Sequence, residues 1–286
     1  MTDAAHADPS GKGGEGRGLL LIAAREPTPG MTKTRLGASI GMEHAAELYA
    51  AFLVDLAARF TPDPASDWDF DLGWAYTPAG TDFAGVLRRI GCAAPPPAVQ
   101  FVLQHGEDWG QRQAHLLRWG PAHGYARTVL IASDSPQLAL PTVRLAFAVL
   151  EMGDVALGRT IDGGYYLIGM RGYHDILTGV PMSTSSAADA LVARVTRLGL
   201  RLVELPETFD IDEERDLHLL RVALAPDGAA APATWAALQR LGLIGATGRD
   251  YLGVSLGEKA VVLKGGDQSG GRASVTSMNR PTGSTA

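Results

Sequence analysis

A short loop in the first part of the sequence combines prolines, a glycine and two closely spaced cations. It covers residues 27–36 (PTPGMTKTRL) and directly follows an apolar run. Prolines fix the backbone, and Gly30 permits a tight turn or the close approach of a phosphate group. Lys33 supplies a point charge, whereas the planar guanidinium of Arg35 matches phosphate oxygens. We predict a phosphate-binding loop; two ordinary surface cations in a solvated loop are the alternative.

A carboxylate follows another apolar run, at residues 127–133 (RTVLIAS). Asp134 comes directly after this run and is followed by Ser135 and Pro136. An acid at the carboxyl end of a strand can bind Mg²⁺, which prefers carboxylates together with substrate phosphates. The alternative is an Asx turn before the proline.

Two more carboxylates, Asp210 and Asp212, follow the apolar run at residues 200–205. If this segment is extended, its period of two places both acids on one face and the apolar residues beside them on the other. One of these acids could then complete a metal site with Asp134. The competing role for Asp212 is the N-cap of a helix that opens at Glu213, and the two roles are compatible.

A glycine pair follows an acid at Asp162-Gly163-Gly164, between two predicted strands. Asp-Gly is a strong signal for a β-hairpin turn, and the tyrosines that follow suit a sheet. From these residues alone, the segment is a turn.

Short apolar runs alternate with amphipathic segments along most of the chain. This alternation predicts parallel strands joined by right-handed crossovers, hence an open sheet covered on both faces. Ligands of such sheets bind at the carboxyl ends of the strands, where the loops described above lie. The predicted strands are 18–24, 71–76, 99–103, 127–133, 155–160, 165–170 and 200–205, and the predicted helices are 42–60, 83–90, 109–119, 141–151, 187–198, 213–224 and 231–241.

The overall composition limits what the chain can bind. Of 286 residues, 46% are hydrophobic and 20% are charged, as in a folded globular protein. The formal net charge of -6 gives no global basic field that would attract nucleic acid or an anionic membrane. Cys92 is the only cysteine, which excludes an intrachain disulfide and fits a reducing compartment, so we expect a cytoplasmic protein.

Composition also divides the chain into three parts. Residues 1–17 are rich in Gly, Ala and charge and predict a disordered tail. Residues 18–245 predict one α/β domain with a Rossmann-like core and an elaborated second half. Residues 246–286 form a C-terminal extension, which we expect to be disordered from about residue 265. Neither the role of this extension nor the oligomeric state is indicated.

Taken in chain order, these motifs resemble those of an uncharacterised bacterial family of glycosyltransferase-A-like proteins. Its members are sometimes labelled arsenosugar-biosynthesis glycosyltransferases and are related to the guanylyltransferase of coenzyme F420 synthesis. The resemblance implies a nucleotide-diphosphate-sugar transferase fold, an α/β protein of three layers (α/β/α) with a mostly parallel mixed sheet. The matching segments are 25–36, 110–112, 134–138, 162–169, 183–184 and 210–217.

The resemblance also assigns roles to individual residues. It implies catalytic roles for Lys33, Arg35 and Asp134, and a Mg²⁺ or Mn²⁺ ion held by Asp134 with Asp210 or Asp212. The nucleotide-binding residues that it implies are Arg25, Gly30, Lys33, Arg35 and Arg112, and the acceptor-binding residues are Asp162, Gly163, Gly164, Ser183 and Thr184.

Three positions depart from the family pattern. Arg25 stands where lysine is usual, Arg159 where proline is common, and Met182 where tryptophan is usual. The last two lie on the predicted acceptor side, so the second substrate is less defined than the nucleotide.

Together these features predict a metal-dependent transferase that acts on a nucleotide or nucleotide-sugar and a small acceptor. Positioning and electrostatics would carry the catalysis without a covalent enzyme intermediate. Nucleotidyl transfer from an NTP to a phosphorylated or hydroxylated acceptor, with release of pyrophosphate, is favoured. Lys33 and Arg35 suit a triphosphate, and the segment after Asp134 lacks the second acid of the usual glycosyltransferase Asp-x-Asp motif.

Two alternatives remain open from the sequence. A glycosyltransferase would move a sugar from a nucleotide-sugar and release a nucleoside diphosphate. A non-catalytic nucleotide-binding module would bind nucleotide without turnover, but such a module has no need of the acids at Asp134 and Asp210 or Asp212.

Overall fold

The computed structural model describes residues 16–62 and 68–244, together with the backbone of residues 262–264. The predicted disorder of residues 1–15 and of the segment from 265 lies outside the described residues, as does most of the predicted C-terminal extension. Arg17, the last residue of the predicted N-terminal tail, donates to Asp71 Oδ1 at 2.6 Å and so packs against the folded part.

Strands and helices alternate through the described chain. The strands are β1 (Gly18–Arg25), β2 (Phe70–Thr77), β3 (Gln100–Leu103), β4 (Arg127–Ala132), β5 (Val155–Thr160), β6 (Tyr165–Arg171), β7 (Leu202–Thr208) and β8 (Val262–Lys264). The helices are α1 (Thr34–Ile40), α2 (Met42–Phe60), α3 (Phe83–Arg89), α4 (Trp109–Ala122), α5 (Leu140–Val149), α6 (Ala187–Arg197), α7 (Asp216–Leu224) and α8 (Pro232–Arg240).

The strands form one mixed sheet in the order β3-β2-β1-β4-β6-β5-β7-β8. The pairs β1–β2, β1–β4, β2–β3 and β5–β7 are parallel, whereas β6 runs antiparallel to both β4 and β5, and β8 is antiparallel to β7. The reversal of β6 follows from the turn at residues 161–164, which is too short for a crossover between parallel strands. The predicted hairpin turn is therefore confirmed, and parallel pairing does not extend through the whole sheet.

The central strand β1 shows why the sheet needs a layer of helices on each face. Its first seven residues are buried, and successive side chains enter two different hydrophobic clusters. One cluster contains Leu20, Ile22 and Ala24, whereas the other contains Leu19, Leu21 and Ala23. A continuous apolar strand is typical of a sheet covered on both sides. The predicted three-layer α/β/α class is confirmed.

One helix was not predicted from the sequence. Helix α1 begins at Thr34, within the predicted phosphate loop, and a break at Gly41 separates it from α2. Gly41 has φ 97°, a conformation that glycine adopts at little cost, so the chain changes direction there. Arg35 therefore lies on a helix rather than in an irregular loop. Among the described residues, no helix combines the length and the apolar character that spanning a bilayer would require.

A buried acid on α2 holds the last helix of the domain in place. Asp55 is 4% exposed, and its carboxylate accepts hydrogen bonds from the backbone N–H groups of Ala233 (2.9 Å) and Thr234 (2.7 Å). These groups belong to the first turn of α8, whose own N-cap residue, Ala231, provides no side-chain acceptor. Asp55 thus caps α8 from another helix, in the way that an N-cap side chain would.

Replacing Asp55 by alanine should destabilise the domain by about 2–4 kcal/mol, because two buried N–H groups lose their acceptor. Urea unfolding followed by circular dichroism would measure the change in the free energy of unfolding.

The matched control is Glu47→Gln, which removes an exposed ion pair between the same two helices. Glu47 pairs with Arg240 of α8 at the surface, so its loss should cost about 1 kcal/mol or less. Equal losses for the two variants would contradict the capping role of Asp55.

Candidate functional site

An ion bridge joins three loops at the carboxyl edge of the sheet. Lys33 Nζ lies 2.8 Å from Asp134 Oδ1 and 2.8 Å from Asp212 Oδ1. These residues follow β1, β4 and β7, respectively. Burial alone would lower the pKa of Lys33, but the charges of the two carboxylates outweigh it and raise that pKa above its usual range. The ammonium therefore stays charged, and its side chain is only 6% exposed.

The segment that carries Asp212 is docked firmly beside Asp134. The backbone N–H of Ile211 donates to the carbonyl oxygen of Asp134 at 3.0 Å, and Ser135 Oγ donates to the carbonyl oxygen of Phe209 at 3.0 Å. Phe209 and Ile211 are buried, whereas Asp210 and Asp212, which alternate with them, line a cavity. The predicted alternation of this segment is confirmed.

The predicted helix-capping role of Asp212 is wrong. Helix α7 begins at Asp216, and the carboxylate of Asp216 accepts from the N–H groups of Asp212 (2.9 Å) and Glu213 (2.7 Å). The Asp216 side chain thus accepts hydrogen bonds from the backbone that precedes the helix in which it is the first residue. The Asp212 carboxylate bonds Lys33, with which it forms an ion pair.

Burial would raise the pKa of Asp212, but the charge of Lys33 outweighs burial and lowers it below the usual range. The ion pair therefore keeps this carboxylate ionised at neutral pH.

Internal hydrogen bonds hold the loop after β1. Thr32 Oγ1 donates to the carbonyl oxygen of Glu26 at 2.9 Å and accepts from the N–H of Thr28 at 3.2 Å. Arg25 Nη1 donates to the carbonyl oxygen of Met31 at 2.9 Å. Arg25 therefore shapes the predicted phosphate loop, in addition to lining the adjoining cavity.

Lys33 itself has an unusual backbone. Its φ of 50° and ψ of 44° lie in the left-handed region, where a residue with a side chain is uncommon. Among the described residues other than glycine, only Ser183 shares a positive φ, at 58°. Both were predicted site residues, and strained backbone of this kind concentrates at functional sites.

The first cavity, of about 350 Å³, is lined by cations. The predicted nucleotide-binding residues Arg25, Lys33, Arg35 and Arg112 all contribute to its wall, as do Asp134 and Asp212. Gly30 is not among the lining residues. It has φ 73° and allows the turn that precedes Lys33, so its role is in the shape of the loop.

The second cavity, of about 460 Å³, is dominated by acids. Four aspartates line it, at positions 134, 162, 210 and 212, and it shares Arg35, Trp109, Asp134 and Asp212 with the first cavity. Burial, followed by the charges of the other three acids, raises the pKa of Asp210 to about 7. The four carboxylates thus outnumber the two guanidinium groups that line the same cavity, those of Arg35 and Arg215.

The predicted acceptor-binding residues divide into two groups. Asp162, Gly164, Ser183 and Thr184 line the second cavity. Gly163 does not; its φ is 92°, and a Cβ atom there would collide with the backbone of Ser185. Gly163 instead lets the β5–β6 turn pack against the segment before α6, and its carbonyl oxygen accepts from the N–H of Ala188, in the first turn of α6, at 3.1 Å.

Several lining residues were missed by the sequence analysis. Tyr49 is one of the buried residues of α2, yet its hydroxyl lies 2.7 Å from Ser133 Oγ, and both residues line the first cavity. Burial, and then the charge of Asp134, raises the pKa of Tyr49 to about 12. Gln104 and Trp109 also line this cavity. The polar tip of Tyr49 within an apolar stripe was the only available signal.

The donor set fits a divalent cation that is held by few protein ligands. Among the described residues, no three His, Cys, Asp or Glu side chains group closely enough to form a ready-made metal site. Asp134 and Asp212 nevertheless converge on a single positive charge, that of Lys33. Mg²⁺ is usually bound by one or two carboxylates together with substrate phosphates rather than by a complete protein cage. Two converging carboxylates beside a cationic cavity meet that requirement.

Comparison with solved structures places the fold in a transferase class. A protein from Desulfovibrio desulfuricans G20, provisionally assigned as a nucleotide-diphospho-sugar transferase, shares 29% sequence identity with this chain at a TM-score of 0.71. The alignment covers 80% of this chain and 96% of the other. The chain thus has the fold of that protein, which agrees with the sequence-based fold prediction.

A family model covers part of the chain. Residues 68–184 match the family described as uncharacterized protein conserved in bacteria (DUF2064). This segment includes Arg112, Asp134, Asp162 and Ser183 but not the Lys33 loop. No curated protein matches the chain.

Two more distant structures are nucleotidyltransferases. A cytidylyltransferase from Leptospira borgpetersenii shares 11% identity at a TM-score of 0.46, covering 83% of this chain and 100% of its own. A nucleotidyl transferase from Methanothermobacter shares 18% identity at a TM-score of 0.43, covering 72% of this chain and 96% of its own. Both likenesses are too distant to say more about this chain.

The ion bridge has a testable pH dependence. Lys33→Met should lower the free energy of unfolding by about 1–3 kcal/mol at neutral pH, since two facing carboxylates lose their counter-charge and water screens part of the repulsion. The pKa of Asp212 is lower in the folded state than in the unfolded state, where it is about 3.9. Asp212 therefore stabilises the folded state at pH values above about 3.9, and this contribution is lost as the pH falls through the folded-state pKa. The gap between wild type and variant should therefore shrink below about pH 4.

Urea titrations at several pH values, with EDTA present to remove divalent cations, would measure this gap. Arg35→Met is the control, because Arg35 lines the same cavity but contributes less than Lys33 to the lowered pKa of Asp212, so its gap should change less with pH. A gap for Lys33→Met that stays constant from neutral to acid pH would refute the assignment.

Proposed function

We propose that the protein is a nucleotide-dependent transferase that moves a nucleotidyl group from a nucleoside triphosphate to a small acceptor. The observation that carries this proposal is the junction of two oppositely charged cavities at Asp134 and Asp212. The first cavity offers cations for phosphates, and the second offers carboxylates and hydroxyls to an acceptor. Donor and acceptor would meet where the cavities share their walls.

The number of cationic side chains in the first cavity favours a triphosphate as its ligand. Three arginines and one lysine line it, whereas its two acids are both paired with Lys33. Arginine can bind phosphate oxygens in a bidentate manner, and Lys33 adds a point charge. Arg35 lines both cavities, which supports a role for it at the phosphate where transfer would occur.

The segment after Asp134 also favours nucleotidyl transfer. The second acid of the usual glycosyltransferase Asp-x-Asp motif would stand two residues after Asp134, where this chain has Pro136. Ser135 lies between them, is buried and donates from its hydroxyl to the carbonyl oxygen of Phe209, so its side chain packs the loops together. Asp212 is the acid that accompanies Asp134, and it comes from a different loop.

A divalent cation, Mg²⁺ or Mn²⁺, would be held by Asp134 and Asp212 with Asp210 nearby, and would supply positive charge to the phosphate oxygens. The residues of the chain perform the remaining functions. Lys33 keeps the carboxylate of Asp212 ionised and forms an ion pair with Asp134, and the docked loops hold both acids in place. Catalysis would then rest on positioning and electrostatics, with no covalent enzyme intermediate.

Glycosyl transfer is the second candidate. The provisional assignment of the Desulfovibrio protein as a nucleotide-diphospho-sugar transferase supports it, because that protein shares the fold at 29% identity. The predicted relationship to arsenosugar glycosyltransferases, or to the guanylyltransferase of coenzyme F420 synthesis, remains a prediction.

The reaction can be identified by its leaving group. The protein would be incubated with each NTP and with a panel of nucleotide-sugars, together with cell extract, with and without Mg²⁺. We expect pyrophosphate release that depends on the cation and is lost in Asp134→Asn. Release of a nucleoside diphosphate would instead show glycosyl transfer, and nucleotide binding without any product would show a non-catalytic module.

The cationic cavity can be tested separately by calorimetry. Arg35→Gln should weaken NTP binding by about 10- to 100-fold, because a charge-assisted hydrogen bond is lost. Arg88→Gln is the matched control, since Arg88 lies on α3, pairs with the exposed Asp82 and does not line the first cavity. Unchanged NTP affinity in Arg35→Gln would exclude the first cavity as the phosphate site.

A further inference from the structure

A third cavity, of about 920 Å³, lies beyond the two that form the proposed site. One face of α4 forms one wall, with Gly110, Ala114 and Arg118 at a spacing of four residues. The segment 173–182, which follows β6, forms the opposite wall. None of the residues that the sequence analysis predicted for nucleotide, acceptor or metal lines this cavity.

Met182 separates the third cavity from the second, because its side chain lines both. Its Sδ lies 3.3 Å from the hydroxyl of Tyr165, and its Cε would be 3.2 Å from a Cβ at Gly110. A flexible thioether, rather than a backbone wall, thus divides the two spaces. The second and third cavities therefore meet at the Met182 side chain.

Among the residues that line the third cavity, Arg118 is the one cationic side chain and Asp108 is the one acid, so their formal charges balance. Arg118 lies over the ring of Tyr173, 4.5 Å from its centroid, and donates to the Tyr173 hydroxyl at 2.9 Å. Tyr173 therefore orients the guanidinium without neutralising it, and no carboxylate of the described residues forms an ion pair with Arg118. His105 and His115 lie nearby, with ring centroids 4.9 Å apart. Burial, and then the charges of His105 and Arg118, lower the pKa of His115.

The one acid that lines this cavity is already engaged. Asp108 Oδ1 accepts from the N–H of Gln111 at 2.8 Å, and Oδ2 accepts from Gln111 Nε2 at 3.1 Å. This carboxylate caps α4 and leaves the guanidinium of Arg118 without a counter-ion in the described part of the chain. An arginine that is held in place beside a cavity, with histidines around it, suits a carboxylate or phosphate group.

We propose that the third cavity binds the acid group of the acceptor, which is therefore a small hydroxylated compound that carries a carboxylate or a phosphate. This assignment rests on the proposed transferase function. The acceptor would place its hydroxyl in the second cavity, near Asp134, and its acid group beside Arg118. Four aspartates and two arginines line the second cavity, so an acid group is less favoured there than beside Arg118, which has no carboxylate partner among the described residues.

Three probes with the same three-carbon skeleton test this assignment: glycerate, glycerol 3-phosphate and glycerol. Binding to the full chain would be measured by calorimetry and by the NMR shifts of the imidazole groups of His105 and His115, with an NTP present to fill the first cavity. We expect the two acidic probes to bind and to shift both imidazoles, whereas glycerol does neither. Whichever of the two acidic probes binds more tightly identifies the anionic group that the cavity prefers.

Arg118→Gln should weaken binding of the acidic probes by at least about tenfold, since a charge-assisted hydrogen bond is lost. Arg197→Gln is the matched control, because it removes one exposed cation from α6 that does not line any of the three cavities. Melting temperatures of both variants would show whether the fold is retained. Arg118→Lys keeps the charge and should recover part of the affinity.

Acidic probes that bind equally to the wild type and to Arg118→Gln, or that bind no better than glycerol, would overturn the assignment. The same samples also separate this inference from the proposed function. Arg118-dependent binding of acids without any product from an NTP would disprove the transferase and with it the acceptor role, but would leave an anion site. Turnover that is unaffected by Arg118→Gln would disprove the acceptor role alone.

Discussion

The ammonium group of Lys33 lies between the carboxylates of Asp134 and Asp212, and the architecture of the site depends on this ion bridge. It joins loops that follow three different strands, and the residues are separated by up to 179 positions along the chain. Two carboxylates this close would repel each other in a partly buried space unless a cation lay between them. The bridge thus allows acids and phosphate-binding cations to share one edge of the sheet.

The same bridge marks the boundary between regions of opposite charge. On one side, arginines surround the first cavity; on the other, aspartates surround the second. Helix α4 contributes Trp109 to both of these cavities, and other residues of the same helix, among them Arg118, line the third. Because residues of one helix line all three cavities, this helix fixes the positions of the cavities relative to one another.

Local patterns predicted most of the fold. Apolar runs identified seven strands and helical periodicity identified seven helices, with boundaries that shifted by a few residues. Helix α1 was missed because it is a single short segment without a distinctive apolar face, and its limits depend on Lys33 and Gly41. The cap on α8 was also beyond prediction. Its acceptor, Asp55, is far away in sequence and reads as one acid within an amphipathic helix.

The sequence by itself determined which residue types lie at the carboxyl edge of the sheet, because chain order and strand pattern place the loops there. It also determined that Asp210 and Asp212 share one side of an extended segment, since a period of two is a local property. Only the tertiary structure decided that Asp212 pairs with Lys33 rather than capping a helix, and that the Tyr49 hydroxyl lies beside Ser133. Such choices depend on which partner lies within about 3 Å in space, and spacing along the chain carries no such information.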